Sequence, residues 1–168
     1  MGDLSEAIFE YERILEAKEL DNREEIQFQL ANAYFKKEDF DRALRELRRM
    51  EDAGVTGHLA HQVYLKIGNI YQIRHRYDDA IPYFQRVTES PCPECRHRSI
   101  QNLAESYEEL YDFKNAVETI RKLDRTPEND LLVSRETARL TEKQRRLESG
   151  SLTWQAPPVQ TKKRQKKR

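Results

Sequence analysis

An all-α solenoid of antiparallel helix pairs is the fold this sequence predicts, and three observations carry the prediction. A thirteen-residue phrase recurs: "NAYFKKEDFDRAL" from Asn32, "NIYQIRHRYDDAI" from Asn69 and "ESYEELYDFKNAV" from Glu105. Alanines in phase with it, Ala7, Ala43, Ala80 and Ala116, stand 36, 37 and 36 residues apart, a period that marks stacked repeats. The 168 residues are 37% hydrophobic and 36% charged. That balance suits a thin helical stack better than a compact globule.

The elements follow in chain order. Leu4, Ala7, Ile8, Tyr11, Ile14 and Leu15 form one apolar stripe, read as the second helix of a partial unit over residues 3–20. Either the chain continues upstream or this open edge meets another chain, self-association included. In the first full unit, 24–56, Leu30, Ala31 and Tyr34 share a face; beyond the polar turn "KKED", Phe40, Ala43, Leu44 and Leu47 mark a second helix. Unit 61–92 repeats this with Ile67, Gly68, Tyr71, Tyr77, Ala80 and Phe84, and unit 97–127 with Leu103, Ala104, Tyr107, Phe113, Ala116 and Ile120. Ala31, Gly68, Ala104 and the phased alanines are small where two helices cross closely, while the tyrosines fill the wedge between neighbours. Turns as short as "KKED", "RHR" and "YD" force each pair antiparallel. After Pro127 a capping helix is expected over 128–148, apolar at Leu131, Leu132, Ala138 and Leu140 and charged beyond. The repeat domain thus runs 3–148. From Ser149, "SGSLTWQAPPVQTKKRQKKR" predicts a disordered basic tail through residue 168, with Trp154 as a thin candidate for a docking motif.

These residues resemble the tetratricopeptide repeat, which keeps a small residue, Tyr, Ala and an apolar residue at the same offsets. The resemblance covers three full units and the partial one, and implies a right-handed superhelix with a concave inner groove. Gln27 departs from it, standing where an aromatic is usual, and the period exceeds 34. Longer periods of this kind also resemble bacterial envelope repeat proteins of the outer-membrane assembly and Tol–Pal-associated sort.

The formal charge of zero is a cancellation. The last seven residues, "KKRQKKR", hold six of the 30 basic residues and no acidic one, leaving 24 basic against 30 acidic before them, a net of −6. No run of about 18 apolar residues exists to span a membrane, and the start lacks the basic and apolar regions of a signal peptide. A cytoplasmic location is therefore expected, or a bacterial periplasm or envelope if the chain begins further upstream. There is no GxSxG, no phosphate-cradling glycine loop and no HExxH. The many glutamates read as solvated helix faces, so no enzyme is expected, and no cofactor.

In such a stack the first helix of each unit lines the groove, and the phase selects its outward residues. They are Phe28, Asn32, Phe35 and Lys36; Leu65, Asn69, Gln72 and Ile73; and Gln101, Glu105, Glu108 and Glu109. The resemblance implies that Asn32 and Asn69 hold a bound peptide's backbone, since an amide both donates and accepts; asparagine is also common there without a ligand. Repeats that clamp the C-terminal carboxylate of heat-shock chaperones use Lys and Asn in one unit, then Lys and Arg in a later one. Here Phe28 replaces the first Lys, and Glu105 and Glu109 occupy the later positions, so that clamp is excluded. The acidic end favours a basic or mixed apolar–basic partner.

Cys92 and Cys95 form a CxxC at a helix start, with His97 two residues on. The readings are ordinary loop thiols, a disulfide or redox pair, or a metal site. A tetrahedral zinc needs four ligands, so a further histidine such as His58 or His61 would have to swing in. The leading expectation is a non-enzymatic adaptor that holds a peptide or helix of a partner in its groove within a larger complex. The alternative is a binder of nucleic acid or anionic membrane surfaces through the tail, and a third is a thiol-redox or zinc protein.

Overall fold

A computed structural model describes residues 4–17 and 19–153. They form eight helices and no strand: α1 (Leu4–Leu15), α2 (Arg23–Lys36), α3 (Phe40–Asp52), α4 (Gly57–Ile73), α5 (Tyr77–Gln85), α6 (Pro93–Glu109), α7 (Phe113–Ile120) and α8 (Pro127–Glu148). Helices pair as α2 with α3, α4 with α5 and α6 with α7; α1 packs back on α2, α8 on α7, and α4 also meets α6. This is an all-α solenoid. Its principal core runs unbroken from Ile8 to Leu103, since no pair buries both faces by itself.

Three turns between paired helices are built alike. Glu38, His75 and Tyr111 take left-handed backbone at φ 60, 54 and 62°. In each, the following N–H returns to a tyrosine carbonyl: Asp39 to Tyr34, Arg76 to Tyr71 and Asp112 to Tyr107, all at 2.9 Å. The left-handed residue itself bonds to Phe35, Gln72 or Glu108. This is the Schellman arrangement, and its last residue already starts the next helix. Asp39 and Asp112 cap theirs by accepting from the N–H of Arg42 and Asn115. No glycine stands at the left-handed position, where non-glycine residues carry steric strain. Glu38 is exposed. Glu38→Gly is therefore expected to raise stability by about 1 kcal/mol, read as a higher melting temperature.

The tyrosines do more than fill wedges. Each reaches back to the second helix of the preceding unit: the Tyr34 hydroxyl donates to Glu12 on α1, Tyr71 accepts from Arg48 on α3 at 2.7 Å, and Tyr107 accepts from Gln85 on α5 at 3.0 Å. Glu12, Arg48 and Gln85 recur with the repeat period, so α1 stands to α2 as α3 stands to α4. Gln27, the departure from the aromatic pattern, donates to the Glu46 carboxylate at 3.3 Å.

The ends differ from expectation in detail. On α1, Ile14 is exposed rather than part of the packed stripe, and Phe9 is 62% exposed. On α8, Leu131 is 73% exposed and Ala138 also faces solvent. The docked stripe is instead Leu132, Val133, Leu140 and Leu147, because the helix rotates to bring Leu140 over Phe113 and Ala116. Residues 149–153, expected to open the tail, form a turn. Gly150 is left-handed at φ 73°, the Leu152 N–H returns to the Arg146 carbonyl at 2.9 Å, and Leu152 packs on the same cluster as Leu140. Trp154 and the basic block of the tail lie outside the described residues.

Candidate functional site: the inner groove

The inner helices α2, α4 and α6 each present a polar–apolar face beside the packing stripe. Three adjoining cavities lie along it, of about 260, 470 and 310 Å3. The first and second share Asn69 and Arg98, and the second and third share Glu105. One groove therefore crosses all three units.

The expected residues distribute along it. Phe28, Asn32, Leu65 and Asn69 line the first cavity; Phe35, Asn69, Gln72, Ile73 and Glu105 line the second; Gln101, Glu105 and Glu108 line the third. Lys36 and Glu109 line none of them and are exposed. Phe28 and Leu65 are 8% and 6% exposed, so they form the floor rather than projecting anchors. The accessible apolar contact is Ile73, 45% exposed, together with the half-buried ring of Phe35.

Amide chemistry concentrates on the floor. The Asn102 amide donates to Asn69 Oδ1 at 2.8 Å, and Gln72 donates to the Asn102 carbonyl and to Ser106 Oγ, both at 3.0 Å. Asn32 Oδ1 is buried with no hydrogen-bond partner. Buried polar atoms are rarely left so, and the exceptions call for an explanation.

Away from the acidic end, the groove carries positive charge. Lys66 Nζ sits 4.5 Å above the Phe35 ring. Burial, then the nearby charges of Arg98 and Lys36, push its pKa below the ordinary lysine value. No carboxylate lies within ion-pair distance of Lys66 among the described residues. Lys66 thus places an unpaired cation at the centre of the groove, while the neighbouring Arg98 is paired with Glu94 at 2.8 Å. Arg98, Asn102 and Glu105 follow one another at one-turn spacing on α6. Continuing the face of Glu105 towards the helix start is the sequence signal that points to Arg98.

At the far end, Glu108 is not free to meet a ligand. It accepts from Arg139 Nη1 at 2.5 Å, from Arg139 Nη2 at 2.6 Å and from Lys143 Nζ, both residues on α8. Burial acts on it most strongly and raises its pKa, but these bonds and charges together outweigh burial and leave the pKa lowered. Glu105 goes the other way, raised by burial and then by Glu109 and Glu108. The Tyr77 hydroxyl, pushed up to about 12 by burial and Glu109, donates to Glu109 at 3.3 Å. The acidic end therefore consists of Glu105 and Glu109.

At the first cavity, which His58 and Cys95 line, Cys92, Cys95 and His58 converge. His97, expected with the cysteines, is not in this group; His61 pairs instead with Ser90 at 3.0 Å.

The tetratricopeptide repeat family profile matches residues 61–90, the middle unit. Residues 61–90 thus carry a tetratricopeptide repeat. Solved structures similar to the chain include MamA AMB-1, at 24% identity and a TM-score of 0.67 over 87% of this chain and 76% of that one. MamA MSR-1 is similar at 23% identity and a TM-score of 0.63, over 89% of each chain. A further MamA crystal structure has 18% identity and a TM-score of 0.64, over 92% and 90% of the two chains. At such identities the likeness speaks for the fold. No curated protein sequence matches the chain. No helix among the described residues is long and apolar enough to cross a membrane.

Proposed function

We propose that this protein is a non-enzymatic adaptor that holds an extended peptide of mixed charge in its inner groove. The tetratricopeptide fold is generally a non-catalytic interaction module. The observation that carries the reading is the buried, unpartnered Asn32 Oδ1 in the wall of the first cavity. With the Asn32 side chain turned into the cavity, a peptide N–H satisfies that acceptor, and Asn69, in the same place one unit on, extends the amide contacts along the strand.

Charge sets the peptide's character. An acidic group opposite Lys66 offsets the charges of Arg98 and Lys36 on it, and a basic residue fits Glu105 and Glu109. Ile73 and Phe35 supply apolar contact between them. This refines the basic partner expected from the sequence, because Glu108 is already neutralised by α8.

The test uses partner captured from the native cell by the full chain. Changing Phe35→Ala, Asn69→Ala and Glu105→Lys together is expected to abolish capture while leaving the helical circular dichroism intact. Removing residues 162–168 is expected to leave capture unchanged. Capture that survives the triple change but is lost with the tail contradicts the groove reading and supports binding through the basic tail.

A further inference from the structure

At the first cavity of the groove, the molecule gathers three metal-ligating side chains from two helices, and two of them, His58 and Cys95, line that cavity. His58 lies in the first turn of α4, Cys92 caps α6 and Cys95 lies in its first turn. Their ligand atoms, one imidazole nitrogen and two sulfurs, all lie within 4.8 Å of one another. Cys95 Sγ and His58 Nδ1 are 3.8 Å apart. A tetrahedral zinc with bonds of about 2.3 Å to sulfur and 2.0–2.1 Å to nitrogen sets such atoms about 3.5 Å apart. For that pair, a few tenths of an ångström separate the present geometry from a coordinated one.

We propose that His58, Cys92 and Cys95 form a binding site for a thiophilic divalent cation, zinc by its ligand chemistry, with water in the fourth position. Two thiolates and an imidazole are a donor set suited to zinc and unsuited to magnesium or calcium. The chain around the cysteines is already shaped for it. The Cys95 N–H donates to Cys92 Sγ at 3.2 Å, and Ser90 Oγ accepts from the Cys92 N–H at 3.1 Å. Cys92 has a lowered pKa, through its hydrogen bonds with the Cys95 side chain and backbone, whereas burial raises that of Cys95.

The outer contacts also fit. Gln62 meets His58 Nε2 at 2.8 Å. The Gln62 atom at that distance is its amide nitrogen, which donates; with the cation on Nδ1 the proton moves to Nε2, and the Gln62 amide turns over to present its oxygen as acceptor, the usual support for a ligating histidine. Glu94 is held by Arg98 at 2.8 Å, which keeps its carboxylate from competing. The site joins the starts of α4 and α6, so an occupied site ties the second unit to the third.

The experiment titrates the reduced full chain with cobalt(II), then with zinc(II) against a chromophoric chelator. One cation per chain is expected, with the thiolate-to-cobalt charge-transfer band and the intense visible bands of tetrahedral cobalt. Cys92→Ser and Cys95→Ser each remove them. Because Cys95 is buried and its variant risks misfolding, His58→Ala, at an exposed position, is the decisive variant. It is expected to weaken zinc binding by more than the roughly 10–100-fold typical of losing an outer contact, the loss expected for Gln62→Ala. His97→Ala is expected to bind as the parent does. Absence of binding by the reduced chain, binding undiminished in His58→Ala, or loss in His97→Ala overturns the site.

Discussion

Gly68→Ala is expected to destabilise the stack by about 1–3 kcal/mol, the usual cost of overpacking a core. A Cβ at Gly68 would lie 2.5, 2.7 and 2.9 Å from three ring atoms of Phe84. Phe84 is fully buried and has no space into which to retreat. The substitution would otherwise gain about 1 kcal/mol in helix propensity, so a net loss isolates the clash. The compensation is written into the repeat. Residues 16 apart correspond across the units as Ala31 with Leu47, Gly68 with Phe84, and Ala104 with Ile120. Only the middle unit combines the smallest residue with the largest. Adding Phe84→Leu to Gly68→Ala recreates the first unit's pair and is expected to recover most of the loss, whereas Phe84→Leu by itself leaves a cavity and destabilises. Thermal or denaturant unfolding of the four chains measures the coupling directly.

Glu108→Gln is expected to loosen α8 by about 1–2 kcal/mol, less than its charged hydrogen bonds suggest because Arg139 and Lys143 are partly exposed. In hydrogen exchange this reads as roughly tenfold faster opening of the α8 amides, with α2 to α5 unchanged, since repeats open locally. The pH dependence has a definite sign. The folded pKa of Glu108 and of Glu136 is lowered: burial raises both, but bonds from Arg139, joined by Lys143 or Arg135, outweigh it. Their stabilisation is full above the ordinary value of 4.5 and is lost as pH falls through the lowered values. Glu105 has the opposite sign, its raised pKa meaning that protonation relieves repulsion. On acidification Glu105 protonates first, so α8 holds or tightens slightly before it releases. In Glu108→Gln most of the later acid release is expected to disappear.

How much of this was legible in the sequence depended on whether a residue serves the repeat. Ala43, Ala80 and Ala116, all fully buried, were readable because every unit poses the same packing problem. The left-handed turns were not, since Glu38, His75 and Tyr111 share no side-chain chemistry and only the backbone repeats. The groove positions followed from helical phase, but their burial did not: Phe28 and Leu65 sink into the floor where α2, α4 and α6 converge. Glu108 was misread because its partners lie on α8, more than thirty residues away. Of the two distant histidines named as further ligands, His58 joins the cysteines from another helix, whereas the nearby His97 does not.

The most direct measurement of the central claim is hydrogen exchange of the full chain with and without its captured partner. The groove account predicts slowed exchange in α2, α4 and α6, strongest around Asn32 and Asn69, with the outer helices α3, α5 and α7 little changed. Protection confined to residues 162–168, or to the outer helices, would contradict it.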